Sequence, residues 1–204
     1  MYICLEGIDG SGKSTQILLL EKWLNDYGYE VLRIFEPTDS ATGKLIREIL
    51  KDPRATEDNF QKTLALLFAA DRMVLMDTIR AAEESGKAVI SDRCFYSSIA
   101  YQNPQSVSDS NQKQDSDTSW LYELNKFVKK PDIVILLDLD VEKAISRCDG
   151  NDSFENKAFL EKIRNRYLEL ARTNDFFVIN ANNGVNKVHE DIKKVISPKI
   201  GRCI

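Results

Sequence analysis

Five short runs of aliphatic, β-branched and aromatic residues punctuate the chain: 2–5 (YICL), 31–35 (VLRIF), 88–91 (AVIS), 133–137 (IVILL) and 176–179 (FFVI). Longer stretches with helical spacing separate them. Near-continuous apolar strands that alternate with helices belong to a parallel sheet covered on both faces, so the pattern predicts an α/β fold. The first helix carries Ile17, Leu20, Leu24 and Tyr27 at spacings of three and four and is read to end at Gly28, which suits a C-terminal cap. Further helices are predicted over 42–50, 57–84, 120–129, 141–147, 154–172 and 187–196. No repeat and no Pro/Gly-rich linker divides the chain, so residues 1–204 are read as one domain. One segment breaks the alternation: 103–119 (NPQSVSDSNQKQDSDTS) is almost wholly Ser, Asp, Gln and Asn, a composition that buries too little surface to order itself. It is expected to be a mobile polar surface loop.

Composition narrows the class without naming a chemistry. With 204 residues, 43% hydrophobic and 29% charged, the chain is neither disordered, nor collagenous, nor a disulfide scaffold. The longest apolar run, 133–137, is far below the ~18 residues of a membrane helix, and the opening MYICLEG reaches charge too soon for a secretory signal, so no membrane partner and a cytoplasmic location are expected. A net charge of -4 lacks the basic footprint of a protein that binds nucleic-acid polymers. Any phosphate must therefore be held locally. Cys4, Cys94, Cys148 and Cys203 are scattered with no C-x-x-C pair and are read as reduced thiols. The single histidine, His189, lies in a polar helical pattern and is read as a solvated helix residue, which leaves carboxylates, Lys, Arg and a hard metal ion to carry chemistry.

Directly after the first strand comes Gly7-Ile8-Asp9-Gly10-Ser11-Gly12-Lys13-Ser14, a full match to G-x-x-x-x-G-K-[ST], opening into the first helix. Its glycines let successive backbone N–H groups point inward at the positive end of a helix. Lys13 brings a mobile charge to the β- and γ-phosphates, and the Ser14 hydroxyl is a magnesium ligand. The motif fixes nucleoside-triphosphate binding, not its use. A GTPase would need N-K-x-D, but the Asn-Lys pairs at 125, 156 and 186 continue without the aspartate. A partition or motor ATPase and a regulatory switch remain open, and a small-molecule kinase needs a second pocket for its acceptor.

Three groups of residues are candidates for that pocket. Phe68 and Arg72 are four apart on one helix face, a ring to stack a base and a fork of donors for its edge; the competing reading is a core phenylalanine beside an Asp71-Arg72 ion pair. Asp92-Arg93 follows the third strand, at the carboxyl end where open α/β sheets bind ligands, though such pairs also end strands as solvated turns. Glu36-Pro37 follows the second strand, with Arg47 on the next helix; alone it is no better than a common loop.

Taken together, GIDGSGKSTQ, FEPTDS, GKLIREIL, LALLFAADR, ISDRCFYSSIAYQ, KPDIVILLDLD and the late DSFE and IRNRYLELA resemble the ordered motifs of thymidylate kinases, over residues 1–172. The resemblance implies a three-layer P-loop fold with a five-stranded parallel sheet flanked by helices and a small mobile lid at about 147–155. It implies transfer of the γ-phosphoryl of ATP to dTMP with Mg2+, and a homodimer. Another nucleoside monophosphate kinase, for dUMP or UMP, is the nearest alternative. Gly7, Ile8, Asp9, Gly10, Ser11, Gly12, Lys13, Ser14, Thr15 and Arg147 would bind ATP. Asp9, Glu36, Arg47, Phe68, Arg72, Arg93, Ser97 and Gln102 would bind dTMP, with Arg47 and Arg93 on its phosphate, Phe68 on thymine and Arg72 on the O4 edge. Ser14 and Asp92 would hold the metal, and Asp9, Lys13, Arg93 and Arg147 would serve the transfer.

Departures from the family pattern mark three positions. Phe35 replaces an arginine common before Glu-Pro, which leaves Arg47 and Arg93 for the acceptor phosphate. Cys94 replaces the ring that crowds the sugar 2′ position, so weaker discrimination between deoxyribose and ribose is expected. Gly10 stands where some members place a transition-state arginine, and the stretch from Arg147 to Asp152 is short of basic residues, which makes Arg147 the candidate for γ-phosphate or adenine, with Lys143 and Arg164 behind it. Lacking a usable imidazole, the chain leaves Asp9 and the phosphate oxygens of the substrate to handle protons.

Overall fold

A computed structural model describes residues 1–102, 118–147 and 157–200. The expected polar loop, apart from its last two residues, and most of the expected lid lie outside the described residues. The order of elements is β1 (Tyr2–Glu6), α1 (Lys13–Asp26), β2 (Val31–Phe35), α2 (Ala41–Leu50), α3 (Asp58–Met73), α4 (Met76–Glu84), β3 (Ala88–Asp92), α5 (Phe95–Tyr101), α6 (Ser119–Leu124), β4 (Ile133–Asp138), α7 (Val141–Ile145), α8 (Lys157–Thr173), β5 (Phe177–Asn180) and α9 (Val185–Ile196), closed by a 3₁₀ turn (Ser197–Lys199).

The five strands form one all-parallel sheet in the order β2-β3-β1-β4-β5. β1 is buried along its whole length between β3 and β4, which is why its sequence does not alternate. The edge strand β5 leaves Phe177 and Val178 half-exposed. The connection after β1 runs to one side of the sheet and the one after β3 crosses to the other. The strand order therefore reverses at β1 and β3, and the crevice beyond their carboxyl ends is where an open sheet of this kind takes its ligand. Glu6-Gly7, Glu36-Pro37 and Asp92-Arg93 all sit on that rim.

Ile17, Leu20 and Leu24 press α1 onto the sheet as expected, each burial worth about 1.5–3 kcal/mol. Tyr27 does not join them; it is half-exposed and its ring lies 5.1 Å from that of Trp23. The long helix predicted over 57–84 is two helices. The N–H groups of Val74 and Leu75 turn back to the carbonyls of Asp71 and Arg72, three residues earlier, and the tightened turn redirects the chain. Leu64 can then join Ile46 and Ala55 beneath α2 while Met76, Ile79 and Ala82 enter the main core. The sequence FYSSIAY, rich in residues that form helices poorly in isolation, is the helix α5, absent from the pattern-based reading. It forms because its amino terminus is capped from β1, as described below.

Candidate active site

Residues 7–12 link β1 to α1 as a tight cradle. Gly7, Gly10 and Gly12 all have positive φ, and side chains at the first two would collide with backbone: a Cβ on Gly7 would stand 2.7 Å from the Leu137 carbonyl oxygen and one on Gly10 2.6 Å from that of Ala144. No side chain caps α1, so its first N–H groups face the cradle. The Ser11 hydroxyl is buried there without a hydrogen-bond partner. Lys13 folds back over the loop and donates from Nζ to the carbonyls of Gly7 (3.1 Å) and Ile8 (3.2 Å). Burial, together with the neighbouring charge of Arg93, lowers its pKa, a penalty that a bound polyphosphate would relieve.

A cavity of about 680 Å³ opens over the cradle, walled by residues 9–16, Glu36, Asp92, Arg93, Arg147 and, from the start of α9 and the turn before it, Ala181, Asn183, Val185 and Val188. On its floor the Ser14 hydroxyl donates to Asp92 Oδ2 at 3.3 Å. Arg147 is exposed at the mouth and donates to the Gly10 carbonyl at 3.1 Å. A second cavity, of about 210 Å³, is lined by Pro37, Leu50, Phe68, Arg72, Ser97, Ser98, Tyr101 and Gln102. Asp9, Glu36 and Arg93 belong to both walls.

Arg93 is the hinge between the cavities. It is the one non-glycine residue with positive φ (72°) among the described residues. Its guanidinium donates to Asp9 Oδ1 (2.6 Å), the Gly7 carbonyl (3.1 Å), Ser97 Oγ (3.2 Å), Tyr167 OH (3.1 Å) and Tyr101 OH (3.4 Å). Burial opposes its charge, but Tyr101, Asp9, Tyr167 and Glu6 outweigh it and hold Arg93 as a cation. Burial likewise favours the neutral form of Asp9, yet Arg93 and Lys13 prevail and bring its pKa down to about 2. Asp9 is therefore a poor proton acceptor, in contrast to the role expected from sequence.

Arg72 is almost completely buried. It grips Glu36 through three bonds, Nε to Oε1 at 2.9 Å and to Oε2 at 2.8 Å and Nη2 to Oε2 at 2.6 Å, and also donates to Asn125 Oδ1 and Ser98 Oγ. The Asp71-Arg72 pair considered from sequence does not form. Asp71 instead accepts from Thr38 N (2.6 Å), Thr38 Oγ1 (2.6 Å) and Ser40 Oγ (2.5 Å), fixing the turn after the cis Glu36-Pro37 bond. Adjacent residues on a helix point in different directions, and each found a partner on the β2–α2 connection.

Of the residues expected on the acceptor side, Asp9, Glu36, Phe68, Arg72, Arg93, Ser97 and Gln102 line the second cavity. Arg47 lines neither; its guanidinium braces the turn by donating to the carbonyls of Pro37 (2.6 Å) and Thr38 (2.8 Å). Gly7 and Ile8 offer their carbonyls to Lys13 rather than lining the larger cavity. Cys94, which stands where the family pattern has a ring, lines neither cavity; its thiol is buried against Glu6 Oε1 at 3.3 Å. Arg164 does not stand free behind Arg147: it forms a bidentate pair with Asp138 at 2.5 and 3.0 Å. His189 is only partly exposed, with Nδ1 buried and unpartnered, and lines neither cavity. Sequence reasoning missed Glu6, Ser98, Tyr101, Asn125 and Tyr167. Glu6 carried the same signal as Asp92, a charge at the carboxyl end of a buried strand; the others gave none.

An anion cradle that shares a wall with a smaller, partly apolar chamber defines a P-loop protein of the nucleotide-kinase type. The thymidylate kinase family model matches residues 5–192. A probable thymidylate kinase of Methanobrevibacter smithii is 49% identical over 203 residues, covering 100% of this chain and 97% of the relative. One from Methanothermobacter thermautotrophicus is 47% identical over 203 residues, with the same coverage. The solved thymidylate kinase of Candida albicans superposes with a TM-score of 0.80 at 29% identity, covering 97% of this chain and 91% of that one. The chain belongs to the thymidylate kinase family.

Proposed function

We propose that the chain transfers the γ-phosphoryl of ATP to dTMP, with ATP in the larger chamber, dTMP in the smaller and the reacting oxygens meeting beside Arg93. The observation that carries this reading is the shared wall: Asp9, Glu36 and Arg93 border both chambers. Phosphoryl transfer asks a protein for alignment and charge neutralisation. The cradle N–H groups and Lys13 would hold the β- and γ-phosphates. Phe68 and Pro37 would sandwich the acceptor base, while Arg72, oriented by Glu36, would present its remaining edge beside Ser98 and Gln102. Arg93 would neutralise the acceptor phosphate and the transferring group.

The nucleophile is a phosphate oxygen whose second ionisation lies near pH 6, so at neutral pH it reacts without a protein base. Asp9, held near 2, would then serve to aim Arg93. Ser14 Oγ and Asp92 Oδ2, 3.3 Å apart, offer the few hard oxygen donors that suit Mg2+, which keeps waters and phosphate oxygens in its remaining positions. Magnesium bound there would neutralise charge on the β- and γ-phosphates. ADP release measured against dTMP, dUMP, UMP, AMP and CMP tests the reading: dTMP should give the largest kcat/KM, and a preference for AMP or the absence of any stimulation would refute it.

We also infer a homodimer in the cytoplasm. Among the described residues no helix is long and apolar enough to cross a membrane, and α3 exposes Leu66, Met73 and, just past its end, Val74. A sedimentation-velocity mass near 23 kDa at working concentration would refute the dimer.

A further inference from the structure

Glu6 closes β1 and is completely buried at its position behind the phosphate cradle. Its two oxygens receive different kinds of donor. Oε1 accepts from the backbone N–H groups of Cys94 (3.0 Å) and Ser97 (3.1 Å), and from the Cys94 thiol (3.3 Å). These are the first-turn donors of α5, whose own N-cap residue supplies no side-chain bond. Oε2 accepts only from hydroxyls, Ser97 Oγ at 2.7 Å and Tyr167 OH at 2.9 Å. Those two hydroxyls are in turn the acceptors for Arg93 Nη1, at 3.2 and 3.1 Å, and Arg93 Nη1 stands 4.0 Å from Oε2 itself.

Every hydrogen bond that Glu6 makes is one it accepts: two from backbone N–H groups, one from the Cys94 thiol and two from hydroxyls. Because a carboxylate can only accept, a hydroxyl that bonds Oε2 does so as the donor and keeps its lone pairs for the guanidinium, the arrangement seen at both Ser97 and Tyr167. We propose that Glu6 is a positioning residue for phosphoryl transfer: it sets the proton direction of Ser97 and Tyr167 so that both accept from Arg93, and thereby locks the guanidinium between the two chambers. It also joins three distant pieces of chain, β1, the start of α5 and the middle of α8, around that one cation. The inference rests on the role given above to Arg93.

Glu6→Gln separates its two functions. The amide oxygen can keep the two backbone N–H bonds, which cannot reverse, so the NH2 group falls opposite Ser97 and Tyr167. Both hydroxyls then become acceptors of the amide. Ser97 and Tyr167 lie 2.9 Å apart and one can donate to the other, but the remaining proton has only the Arg93 side left to face. The cap of α5 survives and the alignment of Arg93 does not.

The test is steady-state kinetics on purified Glu6→Gln, Tyr167→Phe, the double variant and Arg93→Ala, with melting temperatures. Glu6→Gln should lower kcat by about 10- to 100-fold, the scale of a misplaced or lost transition-state donor. KM for ATP should stay within about twofold, since the P-loop is untouched. In the Tyr167→Phe background the same change should cost at least about threefold less, because one of the two oriented hydroxyls is already gone. A near-normal kcat for Glu6→Gln, an identical factor in both backgrounds, or a loss that simply follows a fall in melting temperature overturns the proposal. Should Glu6→Gln not fold, Tyr167→Phe decides alone: a several-fold drop in kcat at unchanged KM for ATP supports it and a normal kcat overturns it. A normal rate for Arg93→Ala would instead remove the role of Arg93 on which the inference stands.

Discussion

Replacing Glu36 by Gln isolates the energetic contribution of the buried pair that shapes the acceptor chamber. Arg72 keeps 1% of its side-chain exposure and Glu36 4%, and three of the guanidinium bonds go to that one carboxylate. Removing one partner of such a pair leaves an uncompensated buried charge, a loss of about 3–5 kcal/mol. Gln retains one acceptor and nearly the same volume, which places the change at the lower end, about 3 kcal/mol. For a domain of this size each kcal/mol moves the melting temperature by about 2–4 °C, so a fall of about 6–12 °C is expected. The assay is thermal and urea unfolding without ligand, with an unchanged urea m-value as the check that the denatured state is the same. The double variant Glu36→Gln/Arg72→Met removes both charges and should regain most of the loss. A single variant melting within about 2 °C of the wild type, or a double variant whose losses add, would refute the reasoning.

Three further outcomes follow from the geometry. Arg147→Ala should lower kcat by more than about 100-fold, still less than a full arginine finger contributes; single-turnover rates check it, and a near-normal rate removes Arg147 from the mechanism. Gly10→Ala drives a Cβ to 2.6 Å from the Ala144 carbonyl oxygen and should weaken ATP binding at least about tenfold by calorimetry, whereas Gly12→Ala, with nothing within 4 Å of its Cβ, suffers only the ~1–2 kcal/mol of left-handed backbone; equal effects would contradict the packing argument. Asp9 is ionised more readily in the folded protein than in the unfolded chain, so its contribution is complete above the unfolded value of 3.8 and is lost as pH falls toward about 2. The gap corresponds to at most about 2.5 kcal/mol, and with the carboxylate half-exposed about 1 kcal/mol should remain; Asp9→Asn should lose that much at pH 7 and show a shallower acid transition between pH 4 and 2.

The parts legible in the sequence were those whose information is local. The phosphate cradle is one contiguous motif whose glycines have no alternative, and the buried strands lack polar alternation because β1, β3 and β4 are covered on both faces. The long-range pairings were not legible. Nothing near Arg72 in the chain points to Glu36, 36 residues away, and nothing near Glu6 points to Tyr167, 161 residues away. α5 went unread because its amino-terminal cap comes from β1, so local propensity argued against a helix that tertiary contact supplies. The surroundings of Cys94 were not legible either, because the chain turns through a left-handed residue just before it: the Arg93 guanidinium faces Asp9 and the cavities, while the Cys94 thiol faces Glu6.

That left-handed turn also bears on how the protein can change. A non-glycine residue at φ 72° costs about 1–2 kcal/mol, and the cost falls on the residue that borders both chambers. The Arg93 N–H bond to the Leu5 carbonyl (3.0 Å) and the Ser91 hydroxyl on the Arg93 carbonyl clamp the backbone in place. Glycine would relax this backbone and delete the guanidinium in the same step. That deletion would leave Asp9 and the other acceptors around the cation without their donor, a larger loss than the strain recovered, so stability and turnover hold the same residue at position 93 and the strained turn is retained by the bonds that serve the site.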